Sequence, residues 1–175
     1  MCLLLGASGV GKTLLLKKLQ AIHSSAAADK ENEEVPSTIP TVGTNLVNLS
    51  IGRKSELTVR ELGGCMGPIW FNYLKDCSCL MYMVDLSNSL QISGSCIQLL
   101  TVLSNQSLGD VPVLLIFNKI DMPTILTRSE VESLFRLDEI ISHSKQKVTV
   151  IEISAYSGQG LQTMVDWLLK NYNAK

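Results

Sequence analysis

The residues Gly6-Ala7-Ser8-Gly9-Val10-Gly11-Lys12-Thr13 fit the pattern G-x-x-x-x-G-K-[ST]. They follow the apolar run Met1–Leu5 and precede a stretch of helical patterning. That strand–loop–helix setting separates a working phosphate loop from a chance match. The glycines let main-chain N–H groups and a helix N-terminus close around an anion. The Lys12 ammonium supplies a point charge to β- and γ-phosphates, and the Thr13 hydroxyl an oxygen for Mg2+. The ligand this chemistry implies is a nucleoside triphosphate.

Asn118-Lys119-Ile120-Asp121 follows the apolar run VLLIF, at the strand end where open α/β sheets bind ligands. A carboxylate at Asp121 accepts from guanine N1–H and the exocyclic amine. Adenine presents an acceptor and a C–H there, which leaves a desolvated charge unpaired. The stem of Lys119 can lie along the base plane. Ser154-Ala155-Tyr156 comes after the last strand, where a backbone N–H could reach guanine O6. Read together, the motifs point to a guanine nucleotide, GTP or GDP.

The elements that must hold these loops are legible in the apolar pattern. Strands are expected at Met1–Leu5, Thr44–Ile51, Ser55–Glu61, Cys79–Asp85, Val113–Phe117 and Val148–Ile153. Several are continuous apolar blocks, as in parallel strands covered on both faces. Thr44–Ile51 and Ser55–Glu61 instead alternate across a short loop at Gly52, which reads as a hairpin. Helices are expected at Lys12–His23, Ile69–Asp76, Leu90–Asn105, Arg128–Leu134 and Leu161–Asn171. The fold class is therefore α/β: a doubly wound, mostly parallel six-stranded sheet with one antiparallel hairpin and helices on both faces.

The chain has 175 residues, 46% of them hydrophobic and 18% charged, which suits a single domain spanning 1–175 with a real core. The polar, acidic stretch Ser24–Val35 breaks the pattern and is expected to be a surface loop inserted in that domain. A net charge of -1 argues against non-specific nucleic-acid binding and a polybasic membrane patch. No apolar run reaches membrane-span length, and no signal peptide precedes the first strand. The five cysteines (Cys2, Cys65, Cys77, Cys79, Cys96) lack paired metal or redox spacing. Buried, reduced thiols in a cytoplasmic protein are the expectation. His23 and His143 read as incidental.

With Ile39-Pro40-Thr41-Val42-Gly43, Leu62-Gly63-Gly64 and Pro68-Ile69-Trp70 followed by Tyr73, these motifs resemble the ADP-ribosylation factor-like (Arf-like) small GTPases of the Ras superfamily. The resemblance covers the chain apart from Ser24–Val35. It implies a P-loop NTPase acting as a guanine-nucleotide switch, with Mg2+ held by Thr13 and Thr41. Thr41 would be the switch I threonine and Gly64 would donate its N–H to the γ-phosphate. Loss of that phosphate would release both segments. The resemblance also implies a monomer that binds effector proteins in the GTP state, with exchange (GEF) and GTPase-activating (GAP) partners. Trp70 and Tyr73 are either core packing or part of the effector surface.

The chain departs from the family pattern around the hydrolytic centre. Glu61 stands where the family has Asp, Arg60 where it has Trp, and Cys65 at the catalytic position of the water-positioning Gln. A thiol donates and accepts only weakly, and positioning supplies most of the catalysis in phosphoryl transfer. Very slow hydrolysis is expected. Ser8 lies close to where an arginine finger would enter, and Tyr156 replaces a Lys, its ring able to cover the base by stacking. The phosphate loop begins at Gly6 and position 2 is Cys2, so neither the family's N-terminal amphipathic helix nor its myristoylated glycine is expected, and membranes would be reached through partners. A timer with slow hydrolysis and a non-hydrolysing GTP-bound binding module both fit. A phosphate-loop kinase shares only the first motif.

Overall fold

Apolar runs such as Leu3-Leu4-Leu5 and Leu80-Met81-Tyr82-Met83-Val84 need cover on both faces once extended. The computed structural model, which describes residues 1–23, 39–51 and 55–172, places them at the centre of a six-stranded sheet. In chain order the elements are β1 (Cys2–Leu5), α1 (Lys12–His23), β2 (Thr44–Ile51), β3 (Ser55–Leu62), α2 (Phe71–Leu74), β4 (Cys79–Asp85), α3 (Ser89–Leu103), β5 (Val113–Asn118), α4 (Arg128–Phe135), α5 (Leu137–His143), β6 (Val148–Ile153) and α6 (Leu161–Asn171).

The strand order is β2-β3-β1-β4-β5-β6. β1 runs parallel to β3 and β4, and β5 runs parallel to β4 and β6. β2 alone is antiparallel, with Thr44 opposite Leu62 and Asn48 opposite Thr58. Alternate residues serve opposite faces. Cys2, Leu4, Met81, Met83, Leu114 and Ile116 pack with Leu15 and Leu19 of α1 and Met164 and Leu168 of α6. Leu3, Leu5, Leu80, Tyr82, Val84, Leu115 and Phe117 pack with Leu99 and Val102 of α3, Val131 and Phe135 of α4 and Ile140 of α5. Each such side chain contributes about 1.5–3 kcal/mol on burial. The parallel arrangement collects the loops after β1, β5 and β6 at one end of the sheet, where ligands bind in such folds.

The expected strands are all present, and the differences fall in helices. Ile69–Asp76 is not one helix: a 3₁₀ turn covers Gly64–Ile69, and α2 is a single turn. Gly64, Gly67 and Pro68 disfavour an α-helix there, by backbone entropy and by a missing N–H. α5 was not expected. Arg136, at φ 51° in the left-handed region, ends α4 and lets the chain restart with Leu137 and Ile140 facing the core. α3 begins at Ser89 and stops at Leu103, short of Asn105. The Ser24–Val35 segment and the Gly52 loop lie outside the described residues.

Cys2, Cys77 and Cys79 are buried, as expected of structural thiols, and burial pushes the Cys77 thiol up to about 12. Cys65 is exposed and Cys96 half-buried, because one sits in the surface 3₁₀ turn and the other on the flank of α3.

Trp70 belongs to the core. It is 1% exposed and meets Tyr82 edge-on, with ring centroids 6.4 Å apart. Its Nε1–H donates to the Gly63 carbonyl at 3.1 Å, which ties the segment after β3 to the core. Tyr73 is half-buried, with the Arg60 guanidinium 5.3 Å from its ring centre. Replacing Trp70 by Ala should cost about 3–5 kcal/mol of stability, read by urea unfolding. A loss under 1 kcal/mol would mean that the ring is not packed as described.

Candidate functional site

The loop from Gly6 to Gly11 connects a buried strand to α1 and must turn sharply over the sheet end. Lys12 opens α1 and is 5% exposed. Its Nζ donates back to the carbonyls of Gly6 at 2.8 Å and Ala7 at 2.9 Å. Burial lowers the ammonium to about 8, opposed by the negative field of Glu61. The loop thus wraps a cation that lacks a full counter-charge, which a phosphate group would supply.

Thr13, Thr41 and Glu61 converge beside it. The Thr13 hydroxyl donates to Glu61 Oε1 at 2.5 Å, and the Thr41 hydroxyl oxygen lies 3.0 Å from that of Thr13 and 3.2 Å from Glu61 Oε1. Hydroxyls plus one carboxylate are hard oxygen donors, the set Mg2+ takes when substrate phosphates complete its shell. Among the described residues no group of three or more His, Cys, Asp or Glu is placed to hold a metal. The residues present fit Mg2+.

Gly64 reaches the same place from β3. A Cβ on it would lie 2.1 Å from Ser8 N, so only glycine lets this segment lie against the phosphate loop. Ser8, Gly9, Gly11, Lys12, Thr13, Thr41, Glu61, Gly64 and Lys119 line one cleft of about 270 Å³. Cys65, one residue beyond Gly64, is exposed and does not line it. A larger cavity, about 740 Å³, opens among α3, α4, α5 and Gln146 and contains none of the residues expected from the motifs. Chemistry, not size, marks the smaller cleft.

The second motif acts first as a brace. Asn118 is 2% exposed, its Nδ2 donates to the Val10 carbonyl at 2.8 Å, and its Oδ1 accepts the Ala155 N–H at 2.9 Å. Gly11 leaves room for that amide, since a Cβ there would lie 2.6 Å from Nδ2. The Ala155 N–H is therefore spent on Asn118. Ser154 is buried and its hydroxyl accepts the Ser157 N–H at 2.9 Å. Lys119 adopts φ 72° and its ammonium pairs with Asp85 Oδ2 at 2.6 Å. Asp121 and Tyr156 stand exposed on their loops, outside the phosphate cleft.

Sequence reasoning overlooked Asp85, Gln91 and Asn45. Asp85 is 5% exposed and accepts from the Ser87 N–H at 2.9 Å and the Ser87 hydroxyl at 2.6 Å, besides holding Lys119. A carboxylate closing the apolar run CLMYMV was the available signal, because buried charge needs partners. Gln91 Nε2 donates to the Ser8 carbonyl at 3.1 Å, and Asn45 Nδ2 donates to Glu61 Oε2 at 3.4 Å. Neither has a spacing that marks it.

The model of the ADP-ribosylation factor family matches residues 1–172. The chain belongs to the ADP-ribosylation factor family. It is 49% identical over 174 residues to human ADP-ribosylation factor-like protein 16, covering 99% of this chain and 87% of that protein. ADP-ribosylation factor-like protein 1 of Saccharomyces cerevisiae is 32% identical over 169 residues, covering 95% of this chain and 84% of the relative. In fold, the chain is similar to the Arl6 (BBS3) small GTPase of Trypanosoma brucei solved with the nucleotide analogue GppNp. The TM-score is 0.79 at 20% identity, with 97% of this chain and 94% of the other covered. As a member of that family the chain is a GTP-binding small GTPase. No helix among the described residues is long and apolar enough to cross a membrane.

The brace makes a prediction. Asn118→Ala leaves the Val10 carbonyl and the Ala155 N–H without their partner, at about 1–3 kcal/mol. Stability without nucleotide should fall by that amount in urea, and guanine-nucleotide affinity by about 5- to 150-fold if the same energy is lost from binding, since ~1.4 kcal/mol is a factor of ten. An unchanged urea midpoint would show that Asn118 contacts ligand without bracing the loops.

Proposed function

We propose that this Arf-family protein is a Mg2+-dependent GTP/GDP switch whose GTP state is long-lived and recruits effector proteins. The observation that carries the reading is the meeting of Lys12, Thr13, Thr41 and Gly64 around one cleft, with Gly64 against the Ser8 backbone. Two separate segments then touch the place where a terminal phosphate would lie, and both would be released when it leaves. Lys12 would neutralise the β- and γ-phosphates, Thr13 and Thr41 would hold Mg2+, and the Gly64 N–H would face the γ-phosphate. Bound Mg2+ would neutralise charge developing on those phosphates. Asp121 would read the guanine edge, with Lys119 and Tyr156 beside the base.

Slow hydrolysis follows from Cys65. An exposed thiol holds a water far more weakly than an amide, and it does not line the cleft. A GAP that supplied a water-positioning group would turn the switch off, and a GEF would reload it. The exposed Ile39, Val42 and Leu46 flank Thr41 and form an apolar surface for an effector. We place this work in the cytoplasm, with membranes reached through partners. The second reading, a GTP-loaded module that never hydrolyses, is favoured by the same cysteine.

Stripped protein supplied with Mg2+ should bind fluorescent GDP and GTP, displaced by unlabelled GTP or GDP and not by ATP. Displacement by ATP would sink the guanine reading. Single-turnover hydrolysis should be slower than the ~10⁻⁴ s⁻¹ scale of intrinsic small-GTPase rates, and Cys65→Gln should raise it at least about 10-fold. An unmoved rate in Cys65→Gln would put the block elsewhere and favour the module.

A further inference from the structure

Glu61 is 1% exposed and fixed in mid-sheet, paired in register with Leu4 of β1 and Asn45 of β2. Its carboxylate is held beside Thr13 and Thr41, whose hydroxyls both donate to Oε1. The three oxygens, Thr13 Oγ1, Thr41 Oγ1 and Glu61 Oε1, form a triangle with edges of 2.5, 3.0 and 3.2 Å. Adjacent ligands of an octahedral Mg2+ with bonds of 2.0–2.1 Å are about 2.9 Å apart, the bond length times the square root of two. The three edges bracket that length, so the same three oxygens can face one cation.

An aspartate on the same backbone would end one C–C bond, about 1.5 Å, short of this position. A water would then be needed to join the carboxylate to the cation. Glu61 removes that need. The Asn45 amide at 3.4 Å from Oε2 supports the outer oxygen, while Oε1 faces the Thr13 and Thr41 hydroxyls.

We infer that Glu61 is a direct, inner-sphere ligand of the nucleotide-associated Mg2+, joining Thr13 and Thr41 as a third protein oxygen. The inference rests on the Mg2+–GTP reading above and extends it to the make-up of the shell. With one oxygen each from the β- and γ-phosphates, five of six positions are filled, and one water remains. The carboxylate charge also joins β3 and the Thr41 segment through the same ion, so removal of either ligand weakens the hold on the other.

Mn2+ standing in for Mg2+ makes the shell countable. The full chain is loaded with Mn2+ and the non-hydrolysable analogue GppNHp, and loading is verified with a fluorescent guanine nucleotide. EPR line broadening in ¹⁷O-enriched water then gives the number of water ligands. The expected count is one in the wild type and two in Glu61→Asp, whose Mn2+ affinity should be at least about 10-fold weaker. Two waters in the loaded wild type, or equal counts in the two proteins, overturns the inference and leaves the switch reading intact. Failure of the wild type to load any guanine nucleotide overturns both. The wild-type count decides even if Glu61→Asp does not fold.

Discussion

The site depends on one buried amide. Asn118 ends β5 with both polar atoms satisfied by other loops, Val10 of the phosphate loop and Ala155 after β6. Without such a partner each of those main-chain groups would be costly, because they lie where the sheet excludes water. A residue in a motif that reads as base recognition is thus first a strut, setting the distance between the loop that would hold phosphate and the loop that would hold the base. Asp85 repeats the device on the neighbouring strand by fixing Ser87 and Lys119. The parallel sheet makes this possible, since it brings the ends of β4, β5 and β6 to the same edge.

Within that frame the electrostatics are unfinished. Lys12 is buried among carbonyls, and desolvation outweighs the attraction of Glu61, so its ammonium is pulled down to about 8. Backbone carbonyls can hydrogen-bond the cation but cannot neutralise it. Glu61 and the two threonines show the opposite imbalance, a cluster of oxygens sharing few protons at short range. A dianionic phosphate with a divalent cation would correct both at once, and in a low-dielectric cleft that correction is worth far more than in water.

Two substitutions against the family pattern have different physical weight. Cys65 lies outside the cleft on a surface turn and would alter chemistry while leaving the architecture alone. Glu61 is buried on β3 and changes geometry, its extra methylene carrying the carboxylate to Thr13 and Thr41. On the proposed reading, the first would touch hydrolysis and the second the hold on the cation.

The amino-acid sequence by itself determined the phosphate loop, the six strands and their burial, and the residue types that would touch a nucleotide. These follow from local patterns: glycine spacing, continuous apolar runs, and a charged motif placed after a strand. It left Trp70 undecided between core and surface, because burial depends on the opposing Tyr82 of β4. It did not yield α5, whose start hangs on a left-handed Arg136, nor the reach of Asp85 to Lys119 and of Gln91 to Ser8, partners distant in sequence. Only the tertiary structure decided that Glu61 meets Thr13 and Thr41, residues 48 and 20 positions away along the chain. Hydrogen bonds at 3 Å are set by how strands and loops stack in space, and no spacing rule in one dimension encodes that.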